Sequence, residues 1–271
     1  MEPMVNIALR AARKAGNLIV LASDDLTRLR FEAKGKADFV TEVDLAAERE
    51  LLYNLQNTYP DHAFIFEESG RTGPDDAEYV WVIDPLDGTS NFMRGIPHYA
   101  ISMACIKAGK LEHAVVLDPV KQEEFTASRG RGAQLNGRRM RVSDRTDMRE
   151  CLFGTGTPWL GNCDDQMDWY VKGPGQVAGS SMGVRRAGAA ALDLAYVAAG
   201  RLDGFWEAGL KPWDIAAGAL LIRESGGLVT NFQGSDDVLG GNGDIVCANP
   251  KLLKQLAAAI RCNAHTETVG T

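Results

Sequence analysis

The run Trp81-Val-Ile-Asp-Pro-Leu-Asp-Gly-Thr-Ser-Asn91 constrains this chain more than any other stretch of it. The apolar residues Tyr79 to Ile83 read as a short strand that delivers Asp84 to its end. Pro85 denies Asp84 a helical conformation and interrupts the ladder. Asp87, Gly88 and Thr89 follow with the character of a turn and a helix start. Two carboxylates on one tight turn can face one cavity, and they repel unless cations sit between them. Hard oxygen ligands of this kind suit Mg²⁺. Gly88 and Thr89 at a helix start would offer backbone N–H groups to a phosphate. A blander reading stays open, because Asp-Pro and Asp-Gly are common in turns and aspartates at strand ends are often merely solvated.

Two further segments carry acids in similar settings. Glu67-Glu68-Ser69-Gly70 follows the apolar strand Ala63 to Phe66; the alternative is an exposed loop. In Lys211-Pro-Trp-Asp214-Ile-Ala-Ala-Gly218, Asp214 stands where a helix should begin, which suits a ligand and an N-cap equally. Glu67, Asp84, Asp87 and Asp214 together form a candidate polycarboxylate metal site drawn from both halves of the chain.

The charge balance bears on this reading. A formal net charge of -7 argues against a chain whose main task is gripping nucleic acid. An acidic protein that binds an anion needs intervening cations. The 5 cysteines are scattered without a C-x-x-C, so neither a disulfide framework nor a zinc knuckle is expected, and a reducing cytoplasm fits. Arg10, Arg13 and Lys14 interrupt the N-terminal apolar residues, so a signal peptide is not expected. No stretch approaches the ~20 apolar residues that span a bilayer.

The expected fold is α/β: an α+β N-terminal half over residues 1–147 and an α/β C-terminal half over 148–271. Apolar spacing predicts a helix from Pro3 to Ser23, with Ile7, Ala8, Ala11, Ala15, Leu18 and Ile19 on its inner face. Thr41-Glu-Val-Asp44 opens a second helix with Leu45, Leu51, Leu52 and Leu55 inside and Tyr59-Pro60 as its stop. Residues Tyr99 to Val142 read as an antiparallel meander, and Asn136-Gly137 is its strongest hairpin signal. The second half alternates strands (Leu152–Gly154, Gly204–Glu207, Leu228–Thr230, Ile245–Ala248) with helices (Ala187–Ala199, Asp214–Ser225, Pro250–Arg261). A polar tail, Asn263–Thr271, is expected to fray.

The segments E-E-S-G at 67–70, W-V-I-D-P-L-D-G-T-S-N-F at 81–92 and W-D-I-A-A-G at 213–218, in this order, resemble the inositol monophosphatase family. D-F-V-T-E-V-D at 38–44, L-N-G-R-R at 135–139 and A-L-D-L-A-Y-V-A-A-G-R-L-D-G-F-W-E at 191–207 extend the resemblance to nearly the whole chain. It is closest to the bacterial members of extragenic-suppressor type. The resemblance implies a layered αβαβα sugar-phosphatase fold, a cytoplasmic homodimer, dependence on two or three Mg²⁺ ions and inhibition by Li⁺. It also implies hydrolysis of inositol monophosphate by a metal-activated water, with no covalent intermediate. By matching motif, Glu67, Asp84 and the carbonyl of Leu86 would hold one ion, and Asp84, Asp87 and Asp214 a second, with Glu67 aiding a third. Thr89 would orient the attacking water, supported by Asp44. Gly88 and Thr89 would seat the phosphate, Glu207 would accept hydrogen bonds from substrate hydroxyls, and Ala190 would line the sugar side.

The sequence departs from the family at several positions. Phe66 stands where many relatives place glycine, either crowding the site or packing beneath it. Ala189 replaces a frequent Thr or Ser, and segment 156–175 resembles its relatives only loosely. Arg185 either reaches the substrate anion or a dimer partner, or makes a structural ion pair. Arg129, Arg131, Arg138, Arg139, Arg141 and Arg145 form a basic stretch. That stretch either contacts RNA or the transcription machinery or, more blandly, is a solvated edge that discourages strand pairing. His98 and His113 read as core or edge histidines, and Trp81, Trp206 and Trp213 as packing around the site. Fructose-1,6-bisphosphatase, nucleotide 3′-phosphatase and a transcription-associated binding protein on the same fold are the competing functions.

Overall fold

The computed structural model describes residues 2–26, 31–35, 38–156 and 175–261. Five layers stack as helix, sheet, helix, sheet, helix, in agreement with the expected architecture. The outer helices are α1 (Pro3–Ser23) and α2 (Glu42–Thr58), preceded by a small antiparallel pair, β1 (Phe31–Gly35) and β2 (Asp38–Thr41). Next comes an eight-stranded sheet in the order β10-β9-β8-β7-β6-β5-β3-β4. Its strands are β3 (Ala63–Phe66), β4 (Gly70–Thr72), β5 (Tyr79–Asp87), β6 (Ala100–Lys107), β7 (Lys110–Asp118), β8 (Glu123–Ser128), β9 (Gly132–Leu135) and β10 (Arg138–Arg139). A one-turn helix, α3 (Thr89–Met93), follows β5. The middle layer is α4 (Ala190–Ala198) and α5 (Pro212–Glu224). Beyond it lies a five-stranded mixed sheet, β12-β11-β13-β15-β14, formed by β11 (Leu152–Thr155), β12 (Gly183–Arg185), β13 (Gly204–Glu207), β14 (Leu228–Thr230) and β15 (Ile245–Ala248). Helix α6 (Leu253–Arg261) covers its far face.

Local chemistry accounts for most of these boundaries. Thr41 caps α2: its hydroxyl accepts from the N–H groups of Val43 and Asp44, while Asp44 Oδ2 accepts from the N–H of Thr41 at 2.9 Å. The meander turns at Ala108-Gly109 and Asn136-Gly137, where both central residues have positive φ, as two-residue hairpins require.

The inner face of α1 differs from the expected one. Leu18 is 40% exposed, and so, on α2, is Leu45 at 41%. Small residues make the contact instead: Ala8, Ala12, Ala15 and Gly16 let α1 lie close to the sheet, with Leu117 and Pro119 against Gly16, and this turns Leu18 outward. Strands β1, β2, β4 and β12 were not expected, because they are short and lack apolar alternation. Strand β5 runs past Ile83 to Asp87. Residues 157–174 of the loosely matching segment 156–175, and the polar tail, lie outside the described residues. None of the described helices is long and apolar enough to cross a membrane.

One core cluster spans the expected midpoint of the chain, joining β6–β9 to α4, α5 and β15. Helix α5 is buried on all sides from Ile215 to Ile222, as a helix between two sheets must be. It touches α4 through Gly218, where an added Cβ would stand 2.4 Å from Leu194 Cβ. Alanine favours a helix interior by about 1 kcal/mol over glycine, yet here overpacking should win. Gly218→Ala is expected to destabilise the fold by about 1–3 kcal/mol, read as a lower denaturant midpoint with an unchanged slope. A stabilised variant would refute the close approach of the two helices.

Candidate active site

Strand register and one irregularity bring the acids together. Phe66 pairs with Ile83 in parallel, so Glu67 and Asp84 leave neighbouring strands side by side. On β5, Asp84 faces Ser102 and Asp87 faces Ala100, so Pro85 and Leu86 together oppose Ile101 alone. This bulge accommodates the missing N–H of Pro85 and re-aims the strand. Leu86 donates its N–H to Asp84 Oδ1 at 2.9 Å. Gly88 then turns the chain at φ +95°, where a side chain would meet His98 O at 3.1 Å and Ala189 Cβ at 3.3 Å. Asp214 comes from the first turn of α5, and its Oδ2 accepts the N–H of Lys211 at 2.7 Å. The two readings of Asp214 thus coexist: one oxygen caps the helix while the carboxylate also meets Asp84 and Asp87. Ligand oxygens of Asp84, Asp87 and Asp214 all lie within 4.8 Å of one another.

Burial and crowding disfavour charge on these groups. Burial pushes Asp87 up to about 7, with Asp193 and Glu67 adding to it. Burial and the neighbouring Asp87 push Asp214 up to about 7 as well. Asp84 is raised well above the ordinary carboxylate range by burial first, then by Glu67, Asp87 and Asp214. Converging carboxylates in this state suit a hard divalent cation, which would neutralise them. A hydrogen-bond relay runs behind them. Thr89 Oγ1 lies 3.0 Å from both Asp44 Oδ1 and Leu86 O, and the other Asp44 oxygen is occupied by Thr41. On the far side, Asp87 Oδ2 accepts the N–H of Ala191 at 2.8 Å, tying it to the start of α4.

The acids open into a cleft of about 340 Å³. Glu67, Asp84, Leu86, Asp87, Gly88, Thr89, Ala190, Glu207 and Asp214 all line it. Asp44 stands behind the wall and touches the cleft only through Thr89. Arg185 is exposed at the end of β12 and does not line the cleft, whereas its neighbour Arg186 does. The sequence reading assigned no site role to Asp193, Arg186 or Gly156, which line the cleft as well. Asp193 lay in plain view inside the A-L-D-L-A-Y stretch, but nothing in that pattern separates a cleft residue from a helix-face one. Gly156 has a steric reason: an added Cβ would fall 1.7 Å from Glu207 Oε1, so the glycine makes room for that carboxylate.

Phe66 is fully buried against Phe64 in the α1–α2 core and therefore packs beneath the site without crowding it. Trp81 is buried and donates to His62 Nδ1 at 3.1 Å, Trp206 of β13 packs in the core beneath α6, and Trp213 lines the cleft. His113 is buried on β7 with Ser128, and His98 is packed near Tyr196. Within the basic stretch, Arg129 pairs with Glu112, Arg131 with Glu2 and Arg145 with Asp203. Arg138, Arg139 and Arg141 are exposed at the sheet's edge and make no ion pair among the described residues.

Comparison with known proteins agrees with this geometry. Residues 1–266 match the inositol monophosphatase family. The Nus factor SuhB of Pseudomonas aeruginosa is 55% identical over 263 residues, covering 96% of this chain and 97% of that protein. The crystal structure of extragenic suppressor protein SuhB from Bartonella henselae superposes with a TM-score of 0.92 at 38% identity, covering 99% of this chain and 100% of the other. An inositol monophosphatase from Anabaena gives a TM-score of 0.82 at 32% identity, covering 96% of each.

The raised carboxylates make a stability prediction. Asp87 and Asp214 ionise near 3.8 in the unfolded chain but near 7 when folded without metal, so the folded form holds more protons between those values. Their contribution is therefore lost as pH rises from about 4 to 7. In EDTA the unfolding midpoint should fall across that window, and saturating Mg²⁺ should flatten the fall. Asp84→Asn should raise the midpoint in EDTA at pH 7.5 and shrink the Mg²⁺-induced rise, as thermal denaturation can show. Equal Mg²⁺ shifts in both proteins would exclude Asp84 as a ligand.

Proposed function

The chain belongs to the inositol monophosphatase family, and from that premise we propose that it is a Mg²⁺-dependent phosphomonoesterase that hydrolyses inositol monophosphate. The observation that carries this reading is the convergence of Asp84, Asp87 and Asp214 in a cleft that also holds Glu207. Glu67, Asp84, Asp87, Asp214 and the carbonyl of Leu86 are the proposed ligands. When bound, Mg²⁺ supplies positive charge to the phosphoryl oxygens and the leaving alkoxide and lowers the pKa of water.

The chain's own groups divide the remaining work. The Thr89 hydroxyl donates to Asp44 and keeps its lone pairs for a water in the cleft, which it orients and from which it can accept a proton. Asp44 is suited to receiving the Thr89 proton because Thr41 holds its other oxygen in place. Gly88 and Thr89 border the cleft and offer N–H groups to the phosphate. Glu207 is buried beside the small residues Gly156 and Ala190 and accepts hydrogen bonds from ring hydroxyls. No side chain is required as a nucleophile, since positioning and charge compensation suffice for phosphoryl transfer. Li⁺ sensitivity and a homodimeric, cytoplasmic state belong to the same proposal.

A second role is favoured by a separate observation. The 55%-identical relative bears the name Nus factor, and Arg138, Arg139 and Arg141 present exposed positive charge with no ion pair among the described residues, on an otherwise acidic protein. A contact with transcription machinery through that edge is compatible with hydrolysis elsewhere.

Phosphate release from inositol 1-phosphate, fructose 1,6-bisphosphate and 3′-phosphoadenosine 5′-phosphate separates the alternatives. Turnover is expected to be fastest on the inositol ester, to require Mg²⁺ and to fall with Li⁺. Asp87→Asn should lower it by about a hundredfold or more while leaving any transcription-complex binding intact. Faster turnover of another ester would reassign the substrate. No turnover of any ester at saturating Mg²⁺ would overturn the enzyme reading.

A further inference from the structure

Helix α2 carries an acid in the middle of its apolar stripe. Its buried residues are Val43, Asp44, Ala47, Glu48, Leu51 and Leu55, so Asp44 and Glu48 stand about one turn apart on the inner face. Asp44 is accounted for by its bonds with Thr41 and Thr89. Glu48 has no part in the chemistry described so far, yet it is only 5% exposed, at a position that would suit leucine. A carboxylate rarely takes such a place, because burial strips its hydration and leaves it in need of a donor. The donor it meets is the N–H of Glu68, 3.3 Å from Glu48 Oε2.

That donor lies beside the cleft. Glu68 directly follows Glu67, where the chain leaves β3 and turns back into β4. The N–H of Glu67 itself reaches the carbonyl of Ile83 on β5 at 3.3 Å. The two peptide groups that flank the Cα of Glu67 are therefore both held, one by the neighbouring strand and the other by α2. Planar peptides held on both sides fix the direction of the side chain between them, and Glu67 lines the cleft. Resting on the phosphatase reading above, we propose that Glu48 is a positioning residue that fixes the backbone at Glu67–Glu68 and so sets where the Glu67 carboxylate stands to receive Mg²⁺. One face of α2 then serves two points of the site, Thr89 through Asp44 and Glu67 through Glu48.

Substitutions at position 48 separate this role from a merely structural one. Leucine would continue the apolar stripe and remove the burial cost of the acid, so Glu48→Leu should not lower the unfolding midpoint in EDTA. Its affinity for Mg²⁺, measured by titration calorimetry on the full chain, should fall about tenfold. Glu48→Gln keeps an acceptor oxygen for the N–H and should stay within about threefold of the wild type. Hydrogen exchange at the Glu68 amide, followed by NMR in EDTA, should quicken in the leucine variant and stay slow in the glutamine variant. Glu48→Ala carries the same comparison if leucine does not fit. Unchanged Mg²⁺ affinity without the acceptor, equal weakening in the leucine and glutamine variants, or weakening matched by a lower unfolding midpoint in both apolar variants would overturn the inference. Exchange that quickens at Glu68 in a protein that binds no Mg²⁺ would sustain the hold of Glu48 on the cleft wall and defeat the phosphatase reading instead.

Discussion

Mutual repulsion among buried carboxylates is the constraint around which the rest of this structure is organised. Asp84, Asp87 and Asp214 would separate if they were free to do so. Each is restrained by a backbone N–H: Leu86 holds Asp84, Ala191 holds Asp87 and Lys211 holds Asp214. Those donors come from a strand bulge and from the first turns of two helices, so the charge problem is solved by main-chain geometry. Side chains could relax away, whereas these elements are fixed by the layers above and below them.

The layered architecture follows from the same need. Parallel pairing of β3 with β5 sets Glu67 beside Asp84, and only the middle helical layer can bring Asp214 and the start of α4 to the same point. That layer lies between two sheets, which is why α5 is apolar all round and why it approaches α4 through a glycine. Function at one end of the helices thus depends on packing along their length.

Much of this was legible in the sequence, for identifiable reasons. The W-V-I-D-P-L-D-G run states its own geometry, because proline and glycine leave the backbone few options. Asn136-Gly137 announces its hairpin in the same way. What stayed illegible depended on distant partners. Leu18 and Leu45 look like core residues until the small-residue face of α1 and the buried face of α2 are seen. The strand at Gly183–Arg185 exists because Leu152–Gly154 pairs with it, not because of its own propensity. Arg185 and Arg186 cannot be told apart by adjacency, since the cleft admits only the second. The place of Asp193 in the cleft was hidden similarly: an acid in an apolar helix signals something unusual but does not say toward what.

Gly156 carries a consequence for how sequences on this fold can drift. Its missing side chain and the carboxylate of Glu207 claim the same volume. A lineage cannot enlarge position 156 first and exchange Glu207 later without passing through an intermediate that has lost the placement of that acid. The two positions, 51 residues apart in the chain, are therefore ordered in time: Glu207 has to give way before position 156 can grow, so a change of substrate taste starts at the acid and not at the glycine.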